Sequence, residues 1–271
     1  MTLTEQVQSS FDNARDPRLA EIMRSLVAHL HAFVEDVSLT EEEWAAAIGF
    51  LTRTGQKCDA KRQEFILLSD VLGASMAVIN ANHPTGGAAT ESTVLGPFYV
   101  DGAPEFELGA DISGGASGEP CFFSGTVRGP DGEPVPGALI DVWQSDETGN
   151  YDVQYSDLDH AQGRGRLRTD STGHYSFRSV RPEAYPIPHD GPVGDLLRAA
   201  GRGPMRPAHV HFKISAPGYR TLITHIFAAG DKYLDADAVF GVKNSLIVNF
   251  DRDNDSYRAT YDFVLARSEE P

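Results

Sequence analysis

Residues 121–143 read CFFSGTVRGPDGEPVPGALIDVW, and this stretch decides how the larger part of the chain folds. Cys121 to Val127 and Ala138 to Trp143 are short runs with the composition of β-strands. Between them lies Gly129-Pro130-Asp131-Gly132, a sequence typical of a turn. The stretch therefore predicts two strands and an intervening turn.

The same pattern continues toward the C-terminus. Further candidate strands are Gly165 to Asp170, His174 to Val180, Ala208 to Ser215, Leu222 to Phe227, Leu246 to Asp251 and Ser256 to Leu265. Several short strands separated by Gly- and Pro-containing turns favour an antiparallel sandwich. On the N-terminal side, the Gly-, Pro-, Ser- and Thr-rich stretch from Thr85 to Gly118 predicts a long ordered connection.

The first 80 or so residues show helical periodicity instead. Asp16 and Pro17 suit an N-cap and a first helical position, and apolar residues recur at helical spacing from there to Glu35. Thr40 and Glu43 form a capping-box pattern that opens a second helix through Leu51. A third helix is predicted from Ala60 to Ala81.

Charge and composition exclude several classes of protein. The 271 residues include 39 acidic and 23 basic side chains, a formal net charge of −16, which repels phosphate backbones. Nucleic acid is therefore not an expected partner. No apolar run reaches the roughly 18 residues that a membrane span needs, and the N-terminus lacks the pattern of a signal peptide. We expect a cytoplasmic protein without membrane insertion.

The sharpest local signal is RPAHVHF at residues 206–212. Residues two apart on a strand point to the same face, so His209 and His211 present two imidazoles side by side. Such a pair chelates metals, but it is also found in purely structural roles. The two cysteines, Cys58 and Cys121, match no zinc spacing. No acidic residue closely flanks the pair, so a zinc or Fe(II) site lacks a local third ligand.

Two tyrosines complete a set of possible ligands. Tyr151 follows Gly149-Asn150 at the end of a turn, and Tyr185 opens the sequence YPIP. Either tyrosine taken alone would be read as a hydrogen-bonding residue at a polar boundary.

Several separated motifs, in order, resemble the intradiol ring-cleaving dioxygenases. They are LGPFY at 95–99, DVWQ at 141–144 followed by GNY at 149–151, YPIPHDGP at 185–192, and RPAHVHF at 206–212. The helical N-terminal part resembles the catechol and hydroxyquinol branch of that family. The resemblance covers most of the chain.

The resemblance implies a non-haem Fe(III) cofactor held by Tyr151, Tyr185, His209 and His211. The chemistry is consistent, because Fe(III) is a hard ion that favours anionic oxygen donors. A free phenol has a pKa near 10, so a strong Lewis acid is needed to keep two of them ionised at neutral pH. Two phenolates and one hydroxide would balance three positive charges.

The resemblance also implies the other site residues. Arg206, Tyr185 and His225 are the expected catalytic residues: Arg206 stabilises developing charge, Tyr185 accepts a substrate proton, and His225 orients the substrate or supports an iron ligand. The expected substrate-binding residues are Leu67, Asp70, Val94, Gly96, Pro97, Phe98, Ile187, Pro188 and Arg206.

The substrates implied are a small aromatic diol or triol and O2. YPIPHDGP, together with His225 and Asp70, favours hydroxyquinol (benzene-1,2,4-triol), cleaved to 3-hydroxy-cis,cis-muconate and maleylacetate. Asp70 would accept a hydrogen bond from the third hydroxyl, whereas its alternative role is a polar point on a helix. Catechol or chlorocatechol cleavage to cis,cis-muconates remains an alternative. A different class is a non-catalytic transthyretin-like sandwich module, which the turn motifs also resemble and which would need no chelate.

The expected fold is mainly β: an antiparallel β-sandwich catalytic domain with an N-terminal α-helical dimerisation region. We place the helical dimerisation and linker region at residues 1–84 and the catalytic domain with its Fe(III) site at residues 85–271. Relatives pair as homodimers through the helical segment and hold a lipid at that interface. The apolar stripes of this chain are compatible with both.

Overall fold

The computed structural model describes residues 1–59, 62–84 and 87–268, and the chain divides into two compact units at residues 55 and 56. The first unit contains α1 (Leu3–Ser9), α2 (Pro17–Asp36) and most of α3 (Glu41–Gln56). The Asp16 side chain accepts the Arg18 N–H, with Pro17 opening α2. In the Thr40/Glu43 capping box, each side chain accepts the other residue's backbone N–H, at 3.2 and 2.9 Å. Both predicted helix starts are therefore confirmed, whereas α1 was not predicted.

The predicted third helix is wrong as a single element. Its first residue, Ala60, lies outside the described residues, and the rest forms two helices, α4 (Glu64–Val71) and α5 (Ala74–Asn82), bent by 75°. The break falls at Gly73, which adopts φ 72°, a left-handed conformation that ends a helix and that glycine adopts without steric cost. The apolar spacing continues across the break, so periodicity alone did not reveal it.

The second unit also contains two five-stranded sheets. In the first, β10 (Asp251–Asp253), β11 (Ser256–Thr260), β1 (Pro120–Arg128) and β12 (Phe263–Val264) lie in that order, and β4 (His174–Val180) pairs with β1. The second has the order β3 (Arg164–Arg168), β2 (Leu139–Gln144), β7 (His209–Ser215), β8 (Leu222–Ala228) and β9 (Ile247–Val248). A short pairing joins β5 (Tyr185–Pro186) to β6 (Met205–Arg206), and one helix, α6 (Pro192–Ala199), connects these two strands.

The mainly β character of this unit is confirmed, but the prediction of purely antiparallel pairing is wrong. β1 pairs in parallel with β11 and β12, and β8 pairs in parallel with β9. Parallel neighbours need a crossover connection, and long segments do separate these pairs: residues 129–255 between β1 and β11, and 229–246 between β8 and β9. Side-chain alternation marks a strand but does not encode the direction of its distant partner.

The two C-terminal strands were also predicted as longer than they are. The stretch from Leu246 to Asp251 contains β9 and only the first residue of β10, and Ser256 to Leu265 is divided into β11 and β12. At the second break, the Asp262 carboxylate accepts the Thr126 N–H at 2.8 Å. A side chain thus takes the place of a backbone acceptor, which interrupts the ladder beside β1.

One hydrophobic core is shared by the inner faces of both sheets. Phe212 on β7 lies 4.8 Å from Phe263 on β12 and 6.3 Å from Phe177 on β4, measured between ring centroids. Phe123 on β1 stacks on Phe177 at 4.7 Å. All four rings are buried. This core gives β7 a rigid inner face, so that its other face can carry polar side chains.

No single helix in the described ranges is long and apolar enough to cross a bilayer. The α4–α5 pair reaches the length and composition only when taken together, across its 75° bend.

Adjacent phenylalanines on β1 test the location of the core. Phe123→Ala should lower the free energy of unfolding by about 3–5 kcal/mol, because it leaves a cavity in the core. Phe122 faces the other side of the strand, half-buried under the Arg258 guanidinium, so Phe122→Ala should cost only about 1 kcal/mol. Urea unfolding of the two variants measures the difference, and equal losses would contradict a core on this face of β1.

Candidate metal centre

Strand β7 supplies two imidazoles to one buried site. His209 and His211 are each 1% exposed and lie on one face of the strand, while Val210 and Phe212 point into the core. β7 is the central strand of its sheet, paired with β2 and β8 along almost its whole length. The backbone beneath the two histidines is therefore held by hydrogen bonds on both sides.

Tyr151 reaches the site from the loop after β2. The Asp146 carboxylate shapes that loop by accepting the backbone N–H groups of Thr148 and Asn150, at 2.8 and 3.1 Å. The Phe98 ring stacks on the Tyr151 ring at a centroid distance of 4.6 Å. Tyr151 is 1% exposed, so its phenol is fixed inside the protein.

Tyr185 comes from the short strand β5. Its backbone pairs with Arg206 on β6, three residues before His209, which brings the Tyr185 ring to 5.4 Å from the His209 ring. This side chain is also buried. A two-residue pairing of this kind leaves no signal in sequence periodicity.

The four side chains converge on one point. The Tyr151 oxygen lies 3.3 Å from the Tyr185 oxygen, 3.1 Å from His211 Nε2 and 3.5 Å from His209 Nε2. His209 Nε2 lies 3.1 Å from His211 Nε2 and 3.5 Å from the Tyr185 oxygen. Ligands at about 2.0–2.2 Å from a first-row metal ion are separated by about 3–3.5 Å, so these separations suit one ion.

Hydrogen bonds behind the histidines decide which nitrogen faces the centre. His209 Nδ1 donates to the Pro207 carbonyl at 2.7 Å, which leaves the Nε2 lone pair directed inward. His211 Nδ1 lies 2.6 Å from His225 Nε2, and His225 Nδ1 lies 2.9 Å from the Thr93 hydroxyl. When His211 offers Nε2 to a metal, its Nδ1–H donates to His225, whose own Nδ1–H then donates to Thr93. Such outer partners fix the ring orientation of metal-binding histidines.

Burial controls the charge of the donors. It raises the pKa of Tyr151 well above its ordinary value, with the neighbouring Tyr185 adding to the effect, and it raises the pKa of Tyr185 against the influence of Arg206. Burial, together with the Arg206 charge, lowers the pKa of His209 to about 3. Burial likewise lowers the pKa of His211 well below its usual range. Both imidazoles are therefore neutral at physiological pH, as metal ligands must be.

The donor set fits a trivalent cation. His209 Nε2 and His211 Nε2 lie 3.1 Å apart, close enough for both to bind one ion, which would take the place of the hydrogen bond that Arg206 donates to His209. The two phenols can supply two negative charges once such a cation offsets the burial that otherwise keeps them protonated. Two oxygen and two nitrogen donors suit a hard ion better than a thiophilic one.

His225 lies close enough to be counted with the other two histidines as a metal-binding cluster, since one ligand atom from each falls within 4.8 Å of the others. Its two ring nitrogens already face His211 and Thr93, however. The arrangement of four donors therefore includes the two tyrosines, and His225 supports His211 from behind. The sequence placed His225 near the site, and the structure brings it against His211 rather than into the lining of the cavity described below.

Gly96 lets the loop before Phe98 approach the histidines. Its φ is 79°, and a Cβ at this position would lie 2.9 Å from His211 Cε1. Any other residue would have to displace the His211 imidazole, which is held in place by Trp143 and His225. Trp143 stacks on the same ring at 4.7 Å.

A buried ion pair lies beside the donors. Arg206 is 3% exposed, and its Nη1 donates to His209 Nε2 at 3.1 Å. Its Nε donates to Asp237 Oδ1, also at 3.1 Å. Burial opposes the charged forms, but the attraction between them prevails: it lowers the pKa of Asp237 and raises that of Arg206.

A small cavity opens beside Tyr185 and Arg206. It brings together all nine residues that the sequence predicted for substrate binding: Leu67, Asp70, Val94, Gly96, Pro97, Phe98, Ile187, Pro188 and Arg206, with Tyr185. Asp70 is 4% exposed, and burial raises its pKa. Leu67, Pro97, Phe98 and Pro188 also line a larger outer cavity of about 650 Å³. The inner cavity is the one next to the donors, since Tyr185 and Arg206 are part of its lining.

Four residues of the site were not found from the sequence. Val239 lines the inner cavity, Asp237 holds Arg206, and Thr93 closes the hydrogen-bond chain through His225. The buried Arg164 pairs with Asp152, next to Tyr151, and donates to the Phe98 carbonyl at 3.0 Å. Asp237, Thr93 and Arg164 act through residues distant in sequence, and Val239 reaches the cavity from a separate loop, so no local pattern marked them.

Comparison with known proteins agrees with this geometry. Residues 94–267 match the family described as Dioxygenase, and residues 16–90 match the one described as Catechol dioxygenase N terminus. A 6-chlorohydroxyquinol 1,2-dioxygenase of Cupriavidus pinatubonensis is 56% identical over 97% of this chain and 96% of its own length. A hydroxyquinol 1,2-dioxygenase of Nocardioides simplex is also 56% identical, over 92% of this chain and 85% of its own.

The fold leads to the same group. The crystal structure of a hydroxyquinol 1,2-dioxygenase from Pseudomonas putida superposes with a TM-score of 0.93 and 47% sequence identity, covering 98% of each chain. Sequence motifs, paired family matches and whole-chain similarity thus point in one direction, and the chain belongs to the intradiol dioxygenase family.

Proposed function

We propose that this chain cleaves hydroxyquinol between its adjacent hydroxyls, incorporating both atoms of O2 to give 3-hydroxy-cis,cis-muconate, which tautomerises to maleylacetate. The observation that carries the proposal is the convergence of two phenols and two imidazoles beside a cavity that contains a buried carboxylate. Relatives that match almost the whole chain carry the names of hydroxyquinol and 6-chlorohydroxyquinol dioxygenases.

The cofactor we propose is non-haem Fe(III), with Tyr151, Tyr185, His209 and His211 as its ligands. The family uses non-haem iron, and the histidine cluster is present in this chain. When bound, the ion supplies Lewis acidity toward the diol oxygens and the redox capacity for oxygen insertion. The protein's contribution is to bind and orient the ring, to exclude water and to move protons.

The two tyrosines have different surroundings, which suggests different roles. Tyr185 lines the inner cavity, whereas Tyr151 lies under the Phe98 ring and outside that lining. We assign Tyr185 as the base: its Oη, as phenolate, accepts a hydroxyl proton of the incoming diol. The adjacent Arg206 charge favours this phenolate over the neutral phenol. Tyr151 stays in place as a ligand of the proposed Fe(III) ion.

Arg206 stabilises negative charge that develops on the oxygens of the reacting ring. Its guanidinium lines the cavity, is fully buried and carries a charge that solvent does not screen. His225 acts through His211, whose ring orientation it holds together with Thr93. We therefore assign His225 as a positioning residue for the metal-binding imidazole.

Asp70 selects the third hydroxyl. Burial removes water from the Asp70 carboxylate, which raises its pKa. The ionised carboxylate is therefore stabilised by a hydroxyl that donates a hydrogen bond to it. A catechol lacks that hydroxyl and so does not form this hydrogen bond, which costs about 1–3 kcal/mol even though Ser75 also hydrogen-bonds to the carboxylate. The apolar walls formed by Leu67, Ile187 and Pro188 hold the ring plane.

The helical region at residues 1–84 is proposed as the dimerisation and linker region, with the catalytic domain at 85–271. Along α2, a stripe of large apolar side chains is about half exposed: Leu19, Ile22, Leu26, Leu30 and Phe33. Trp44, Ile48 and Leu51 continue this pattern on α3. Such surfaces favour association with a second copy, and they are also suited to hold a lipid acyl chain at that interface.

Replacement of Tyr185 tests the assignment of the base. Tyr185→Phe should lower kcat about 10²–10⁴-fold, the usual effect of losing a positioned base. It should also weaken and shift the visible absorption that we expect from tyrosinate bound to Fe(III). Steady-state oxygen uptake and visible spectra of the iron-loaded protein provide the two readouts.

The matched control is Tyr175→Phe. Tyr175 is another buried tyrosine; its hydroxyl donates to the Tyr261 carbonyl, and its ring packs among the phenylalanines of the shared core. This variant should keep the colour and most of the turnover. If Tyr185→Phe behaves like the control, or if the purified wild type binds no iron, the proposed function is wrong.

Replacement of Asp70 tests the choice of substrate. Asp70→Asn should reduce the preference of kcat/KM for hydroxyquinol over catechol about 5–150-fold, which corresponds to 1–3 kcal/mol. Asp195→Asn, at an exposed position on α6, serves as the control with unchanged preference. A wild type that prefers catechol, or an Asp70→Asn variant with unaltered preference, would refute the role of Asp70.

A charge on the apolar stripe tests dimerisation. Leu26→Glu should shift a dimer toward monomer, because it places a carboxylate in the centre of the proposed interface. Ser25→Glu adds the same charge about 100° around the helix, outside the stripe, and should leave the mass unchanged. Sedimentation velocity measures both, and a wild-type protein that sediments as a monomer would rule out the dimer.

A further inference from the structure

We propose that Asp237 is a positioning residue for ring cleavage. It holds the Arg206 guanidinium at the edge of the substrate cavity, and it ties that guanidinium to the loop that carries Val239. This assignment rests on the proposed function, since it takes Arg206 as the group that stabilises charge on the reacting ring.

The contacts leave only one end of the Arg206 guanidinium facing the proposed metal ligands. Its Nε donates to Asp237 Oδ1 at 3.1 Å and its Nη2 donates to Oδ2 at 3.4 Å, so one edge of the planar fork is occupied by the carboxylate. Nη1, at the remaining end, lies 3.1 Å from His209 Nε2. Because both partners are 3% exposed, no solvent competes for these bonds. The carboxylate therefore fixes which nitrogen faces the donors and the cavity.

Asp237 is itself fixed by the backbone of its own loop. Oδ2 accepts the Gly241 N–H at 2.9 Å and Oδ1 accepts the Val239 N–H at 3.3 Å. Each carboxylate oxygen thus receives one guanidinium N–H and one backbone N–H. In addition, the Ala238 N–H donates to the Met205 carbonyl at 3.0 Å, next to Arg206. The Val239 side chain, which lines the cavity, is consequently set by the same carboxylate.

A second carboxylate competes for Arg206. Asp70 lines the same cavity as Arg206, whose charge acts to lower the pKa of the Asp70 carboxyl against the effect of burial. Without the negative charge of Asp237, Arg206 is drawn toward Asp70. An ion pair between them would occupy the acceptor that we assign to the third hydroxyl of the substrate. Asp237 thereby keeps Asp70 available, and its loss should affect the triol more than the diol.

The experiment is a double-mutant cycle on the iron-loaded, full-length enzyme. The variants are Asp237→Asn, Arg206→Met and the combination of both, with Asp235→Asn as an exposed control on the same loop. For each, kcat and KM are measured with hydroxyquinol and with catechol, together with the thermal unfolding midpoint. The cycle isolates the effect that Asp237 exerts through Arg206.

We expect Asp237→Asn to lower kcat for hydroxyquinol at least about tenfold and to reduce the hydroxyquinol preference about fivefold. In the Arg206→Met background the same change should alter kcat by less than about threefold, because the group through which Asp237 acts is gone. The midpoint should fall with Asp237→Asn alone. It should rise when that change is added to Arg206→Met, which otherwise leaves a buried carboxylate unpaired.

Two results would overturn the assignment. One is an equal loss of kcat in both backgrounds, which would mean that Asp237 acts independently of Arg206. The other is an Asp237→Asn variant that keeps wild-type kcat and preference while its midpoint falls, which would make the residue purely structural.

If Asp237→Asn alone does not fold, the comparison of Arg206→Met with the double variant decides, because neither contains an unpaired buried guanidinium. A difference in kcat below about threefold supports the assignment, and a larger one refutes it. A wild type that cleaves no diol would instead sink the proposed function, and it would be recognised before any variant is made.

Discussion

The rest of the structure depends on one constraint: four polar side chains must stay buried and close together with their lone pairs facing inward. Burial makes charge on these groups costly, and as a result both phenols stay protonated and both imidazoles stay neutral. Behind the two imidazoles the protein provides hydrogen-bond acceptors: His209 donates to the Pro207 carbonyl, and His211 donates to His225 when its Nε2 binds a metal. The proposed Fe(III) ion would complete the balance, because a bound cation favours the phenolate forms that burial alone disfavours.

The fold holds the backbone segments that carry these four side chains in fixed positions. β7 carries two of the donors at the centre of a sheet, with its other face locked into the shared core by Phe212. The remaining donors come from less regular segments, and these are braced individually. The Asp146 turn and the Phe98 ring hold Tyr151, and the β5–β6 pairing holds Tyr185 next to Arg206. Strand geometry thus places the chelate, and local hydrogen bonds place the tyrosines.

The proposed substrate preference and the proposed stabilisation of charge both involve Arg206 and two carboxylates, Asp237 and Asp70. Arg206 stands between Asp237, which binds it directly, and Asp70, which shares its cavity. We propose that its position determines whether Asp70 is available to a substrate hydroxyl. A site that discriminates by a buried acceptor needs that acceptor free of a competing ion pair, and the two hydrogen bonds from Arg206 to Asp237 are consistent with this role.

The sequence by itself determined the helix starts at Asp16 and Thr40, most strand positions, and the pairing of His209 with His211 on one face, because caps, turns and alternation are local. It also led, through motif resemblance, to Tyr151, Tyr185 and the residues that line the inner cavity. Only the tertiary structure decided the parallel strands, the bend at Gly73, the support of His211 by His225 and Thr93, and the hold of Asp237 on Arg206. These features join residues far apart in the chain, and their geometry depends on how distant segments pack, which no local pattern encodes.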